Sequence, residues 1–120
     1  MNLEWIQPGD LVYGPFPAQI IKNRMKASHY CLVLSVDNKT GLFLAAIGTS
    51  GHIDSCSLDH ELLIVAPDDL RRAKLRKPTR FDLLQTAWLD AEPFAECGNI
   101  RFSSGLIYAF SKAANAAGLV

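Results

Sequence analysis

The sequence has little with which to cross-link itself. Its three cysteines, Cys31, Cys56 and Cys97, are odd in number, widely spaced and without a Cys-x-x-Cys. That argues against a disulfide framework and for free thiols in a reducing compartment. No apolar run reaches the ~18–20 residues of a membrane span. The first residues, Met1-Asn2-Leu3-Glu4-Trp5, lack a positive n-region, an apolar h-region and a small-residue cleavage site, so a cytoplasmic location is expected. Net charge is missing too: 12 basic residues balance 12 acidic ones, and no bulk field draws the chain to nucleic acid. There is no Gly-rich phosphate loop, and Phe102-Ser103-Ser104-Gly105 has no nucleophile-elbow pattern. Internal repeats and low-complexity stretches are also lacking. No cofactor is expected.

What is present is a core. With 120 residues and 49% hydrophobic content, the sequence predicts one domain over residues 1–120. The charges are unevenly placed. Lys22, Arg24 and Lys26 crowd one stretch; Arg71, Arg72, Lys74, Arg76, Lys77 and Arg80 crowd another. Two basic clusters on a neutral chain suit a local anionic ligand, or are solvated surface.

Pro8-Gly9-Asp10 is a turn signal before a short strand, Leu11-Val12-Tyr13, which Gly14-Pro15-Phe16-Pro17 ends. A polar, basic loop runs from about residue 21 to 28. His29 to Val36 is the clearest strand; Asp37-Asn38-Lys39-Thr40-Gly41 turns it into Leu42 to Ile47 as a hairpin. Glu61 to Val65 reads as a further strand, and Pro67-Asp68-Asp69 opens a short helical turn. Residues 79–89 read either way. Thr79 and Asp82 fit a capping-box variant and Phe81, Leu84 and Trp88 have helical spacing, whereas Pro78 and the Phe81/Leu83 alternation fit a strand. Ser103 or Ser104 caps a closing helix that Gly118 ends. The fold class is therefore α+β, mainly β: a small barrel with a C-terminal helix.

In order and local pattern the chain resembles the PemK/MazF-like toxins of toxin–antitoxin systems. Pro8-Gly9-Asp10-Leu11-Val12 is similar to that family's opening Gly-Asp strand, followed by the Phe16-Pro17 pair and a long loop. Ile47-Gly48-Thr49-Ser50 resembles its Thr/Ser-ended strand, Arg80-Phe81-Asp82 its PemK-type Arg-x-Asp, and Ser103 to Leu119 its closing helix. One position departs: where the family writes Arg-Pro before the second strand, this chain has His29-Tyr30. The resemblance implies an SH3-like barrel, a homodimer and a metal-independent endoribonuclease. It further implies 2′,3′-cyclic phosphate and 5′-hydroxyl ends, and an antitoxin whose peptide covers the RNA groove.

Cleaving RNA without a metal needs a base for the 2′-OH, charge stabilisation on the phosphorane and a proton for the leaving 5′-oxygen. Asp82 is the candidate base, Arg80 the phosphate clamp and His29, with an ordinary pKa near ~6.5, the candidate acid. Thr49 and Ser50 offer hydroxyls, and Lys22, Arg24 and Lys26 would neutralise phosphates of single-stranded RNA. Tyr13, Phe16 and Trp88 could stack on bases or pack in the core. These residues also have plainer uses: Arg80–Asp82 as a surface ion pair, Asp82 as a helix cap, His29 as a structural residue at a strand start, Thr49-Ser50 as a turn. His52, Cys56 and His60 are spaced four apart, but Gly51, Ile53, Ser55 and Ser57 make a poor helix, so no metal site is expected. The alternative function is a catalytically silent relative that binds protein or nucleic acid, for instance a phage- or mobile-element-encoded inhibitor.

Overall fold

Apolar runs such as Cys31-Leu32-Val33 and Ala45-Ala46-Ile47 cannot place every side chain on one face of a strand, because neighbours alternate. They need a sheet buried on both sides. The computed structural model, which describes residues 1–17, 28–50 and 58–119, has such a sheet. A 3₁₀ turn (Leu3–Trp5) precedes β1 (Asp10–Pro15), β2 (Ser28–Asp37), β3 (Leu42–Thr49) and β4 (Glu61–Ile64). Then come α1 (Pro67–Ala73), β5 (Thr79–Asp90), β6 (Ala95–Asn99) and α2 (Ser104–Ala116). The six strands form one antiparallel sheet in the order β4-β5-β3-β2-β1-β6, curled into a half-barrel. The protein is mainly β, with a helix at its C-terminal end. Among the described residues, no helix is long and apolar enough to cross a membrane.

Two apolar clusters cover the two faces. Leu11, Leu32 and Ala46 point to one, where Leu62, Phe81 and the α2 residues Leu106, Ala113 and Ala114 close over them. Val12, Cys31, Val33 and Phe43 point to the other, covered by Ile6, Leu89 and Phe94. α2 starts where its sequence says it should: the Ser103 hydroxyl accepts from Leu106 N at 3.2 Å, and Gly118, at φ 76°, follows its end. The β2–β3 hairpin closes through Gly41 N donating to Asp37 O at 2.9 Å. The segment Asp90 to Phe94 is the connection from β5 to β6, anchored by Phe94 edge-on to Phe43 at 5.2 Å.

Residues 79–89 are strand. Thr79, Phe81 and Leu83 are buried while Arg80 and Asp82 are not, so alternation decides the segment; Leu84 and Trp88, the other members of the helical spacing, are 58% and 49% exposed. The strand is also irregular. Ala46 pairs with Thr86 and Gly48 with Phe81, so two steps on β3 face five on β5, and 5 − 2 leaves three extra residues in a wide bulge. An odd insertion flips the strand's faces. Phe81 and Leu83 therefore serve the helix-side core, whereas Leu89, of the same parity in sequence, serves the other.

Gly48 allows this crossing to close. A Cβ there would lie 2.7 Å from the Phe81 ring, 2.8 Å from Tyr30 O and 2.9 Å from Thr79 Cγ2. Gly48→Ala should cost about 1–3 kcal/mol, as overpacking does, and lower the melting temperature by at least ~4 °C. Thermal unfolding by circular dichroism checks this; an unchanged midpoint would mean that Phe81 and Thr79 yield freely.

Candidate active site

The end of the sheet where β3 stops and β2 and β5 begin holds a cleft of about 990 Å³. His29, Thr49, Ser50, Arg80 and Asp82 all line it. Strand register brings them there: Thr49 pairs with Arg80 across β3 and β5, and Glu61 with Asp82 across β4 and β5. Lys22, Arg24 and Lys26 lie outside the described residues, as do His52 and Cys56 of the four-residue spacing. Among the described residues, no group of His, Cys, Asp and Glu side chains has the arrangement of a metal site.

Arg80 and Asp82 stand on one side of β5, yet each is engaged by β4 or the residue before it. Arg80 Nε lies 3.1 Å from Glu61 Oε2. Asp82 Oδ1 lies 3.4 Å from His60 Nε2 and accepts from Leu84 N at 2.9 Å. Glu61 is anchored in turn: its side chain is 6% exposed and its Oε1 accepts from Leu58 N at 2.8 Å. The bulge aims Asp82. Its side chain caps the turn to Leu84, and Leu83 N donates to His60 O at 3.0 Å, tying the irregular stretch back to β4.

Sequence reasoning did not reach His60 and Glu61 as partners of the pair, because only strand register sets them opposite it. Arg76, Lys77, Tyr13, Tyr30 and Gln85 also line the cleft. The basic run was the available signal for Arg76 and Lys77, and the structure divides that run. Arg71 pairs with Asp68 at 3.0 Å and Arg72 lies over the Phe102 ring at 5.6 Å, both on the α1 side. The three aromatic candidates divide as well: Phe16 is buried in the core, Trp88 is exposed away from the cleft, and Tyr13 is in it. Among the described residues, the cleft is lined by three cations, Arg76, Lys77 and Arg80, against one carboxylate, Asp82.

The two described thiols, Cys31 and Cys97, do not line the cleft. Burial pushes Cys31 up to about 12, and partial burial raises Cys97, so neither is a ready nucleophile. His29 is different. Its Nε2 is enclosed and has no hydrogen-bond partner among the described residues, and burial lowers its pKa from 6.5. The neutral imidazole is therefore favoured at neutral pH, the reverse of what a resident acid needs. The unfolded chain binds more protons than the folded one between the lowered value and 6.5, so the stability tied to neutral His29 is complete above 6.5 and is lost as pH falls below it. Urea midpoints should therefore fall on acidification from about pH 7 to about pH 5.5, and less so in His29→Gln. Parallel curves for the two proteins would remove His29 as the cause.

No protein-family model and no curated protein matches the sequence. Among solved structures, the chain is similar to an endoribonuclease in complex with its cognate antitoxin from a mycobacterial species, at a TM-score of 0.63 and 11% identity. That likeness covers 96% of this chain and 97% of the other, and at this identity it is a likeness of fold.

Proposed function

We propose that this chain is a metal-independent endoribonuclease toxin of the PemK/MazF-like kind, cleaving single-stranded RNA in the cleft at the end of its sheet. One observation carries the reading. His29 of β2, Thr49 and Ser50 at the end of β3, and Arg80 and Asp82 of β5, the residues whose chemistry suits RNA cleavage, line one cleft. The fold is shared with an endoribonuclease, which supports the same reading. In this reading the protein works as a cytoplasmic homodimer, and an antitoxin peptide silences it by covering the groove.

The chemistry assigns each group a step. Asp82 takes the proton of the 2′-hydroxyl, and that oxygen attacks the adjacent phosphorus. Arg80 holds the phosphate oxygens as negative charge builds on them. The bond to the 5′-oxygen breaks with proton transfer from His29, leaving a 2′,3′-cyclic phosphate and a 5′-hydroxyl. His29 is not charged in advance. A phosphate beside the imidazole favours its protonated form, so the acid is generated when RNA binds. Thr49 and Ser50 supply hydroxyls to the phosphate or a base edge, and Lys22, Arg24 and Lys26 add charge along the strand.

A second reading, a silent barrel that binds RNA or protein, is favoured by the pairing of Arg80 with Glu61 and of Asp82 with His60. Incubation of the purified protein with a long single-stranded RNA in EDTA separates the two. Wild type should cut, leaving cyclic-phosphate ends. Asp82→Asn and Arg80→Lys should each be slower by ~10²-fold or more. Arg80→Lys is preferred to alanine because it keeps a cation opposite the buried Glu61 carboxylate. Intact RNA in every lane, from folded protein free of inhibitor peptide, would sink the enzyme and leave the binding module.

A further inference from the structure

Tyr13, Arg76 and Lys77 line the cleft but have no step in the cleavage chemistry. We propose that they form its strand-holding subsite: one base of an unpaired RNA strand stacks on Tyr13, and neighbouring phosphates sit on Arg76 and Lys77. The identity of the ligand as RNA rests on the ribonuclease reading; the subsite rests on the cleft itself.

Charge is the first argument. The chain is neutral overall, and much of its basic surface is already matched. Arg71 faces Asp68, Arg80 faces Glu61 and Arg101 faces Asp10. Arg76 and Lys77 are exposed, line the cleft and make no ion pair among the described residues. Without them the cleft would hold Arg80 against Asp82, which cancel. These two side chains therefore give a neutral protein a local attraction for a polyanion.

The second argument is the ring. Tyr13 sits between buried Val12 and Gly14, yet 43% of it is exposed. It packs against Tyr30 at 4.9 Å, tilted by 51°, so a partly exposed aromatic is supported by a second ring at the cleft. That is what a stacking platform needs.

Spacing then sets the class of ligand. Tyr13 pairs with Tyr30, the Tyr30 carbonyl lies against Gly48, and Gly48 pairs with Phe81 beside Arg80. Three strand spacings separate Tyr13 from that point, about 14 Å at ~4.8 Å each. Lys77 is three residues before Arg80, no more than about 11 Å along the chain. The path across the strands is an upper limit along a curled sheet, and it suits a strand of a few nucleotides, with one base on Tyr13 and a phosphate at Arg80, better than a mononucleotide. A duplex would keep its bases paired and stacked, with no face to offer Tyr13.

The test uses a single-stranded 2′-O-methyl oligonucleotide of about ten residues, which lacks the attacking hydroxyl, with binding followed by fluorescence anisotropy across a salt series. The double variant Arg76→Ala/Lys77→Ala should bind more weakly and flatten the log–log salt slope by ~1.4, at ~0.7 per phosphate contact. Lys112→Ala, on α2, should leave the slope as it is. Tyr13→Ala should weaken binding at least about fivefold with the slope unchanged, and Tyr13→Trp should restore it. An unchanged slope in the double variant, unchanged affinity in Tyr13→Ala, duplex bound as tightly as single strand, or no binding by wild type would each overturn the proposal. If the expected pattern appears but wild type cuts no RNA, the ribonuclease reading fails and the subsite stands.

Discussion

The three extra residues of β5 opposite Ile47 are the constraint on which both the core and the site depend. A regular strand has one set of side chains per face for its whole length. β5 is needed on two faces: its first half must close the helix-side core with Phe81 and Leu83, its second the opposite core with Leu89. The odd insertion switches faces in mid-strand. The same irregularity leaves Asp82 without a β3 partner, though it still pairs with Glu61 on β4, and lets its carboxylate cap the turn to Leu84. The packing and the candidate chemistry are thus one feature. Removing the bulge to regularise the strand would bury the wrong face on one side of it.

β4 is the second determinant. It is only four residues long and an edge of the sheet, yet it and the residue before it supply a partner to each member of the central pair. Glu61 is a nearly buried carboxylate, costly to leave without a countercharge; Arg80 provides it, and the two side chains fix one another. This polar bracket sets a countercharge beside Arg80 without using either core. It also makes Arg80 a stability residue as well as a functional candidate, so its substitutions have to be judged on folded protein.

Much of the architecture was legible in the sequence. The Asp37–Gly41 hairpin, the β4 strand, the Pro67 start of α1 and the Ser103 cap of α2 each rest on local chemistry: a turn, a proline, a hydroxyl at a helix start. The residues expected to gather, His29, Thr49, Ser50, Arg80 and Asp82, do share a cleft. What sequence could not show was non-local. Phe81, Leu83 and Leu89 alternate as one face would, and nothing in that spacing announces a switch between them. His60 and Glu61 become partners of Asp82 and Arg80 only through the β4–β5 register. The basic run at 71–80 reads as a single cluster, but α1 turns its first part away and leaves Arg76, Lys77 and Arg80 at the cleft.

Engagement by β4 does not by itself silence the pair. Both contacts to Asp82 fall on Oδ1, and among the described residues Oδ2 accepts no hydrogen bond. A carboxylate fixed through one oxygen presents the other in a set direction, as a positioned base requires. Arg80 meets Glu61 through Nε, and a guanidinium carries five N–H donors in a planar fork, so one anion at Nε is compatible with a phosphate at the same group. His29 lines the same cleft with its Nε2 enclosed and its pKa lowered by burial; in the proposed reaction a phosphate beside the ring would favour its charged form. The resting site is thus neutral at His29 and held in place at Arg80 and Asp82. In the proposed reaction, substrate would supply the one charge that lets His29 act as the acid beside Asp82 as the base, with Arg80 on the phosphate.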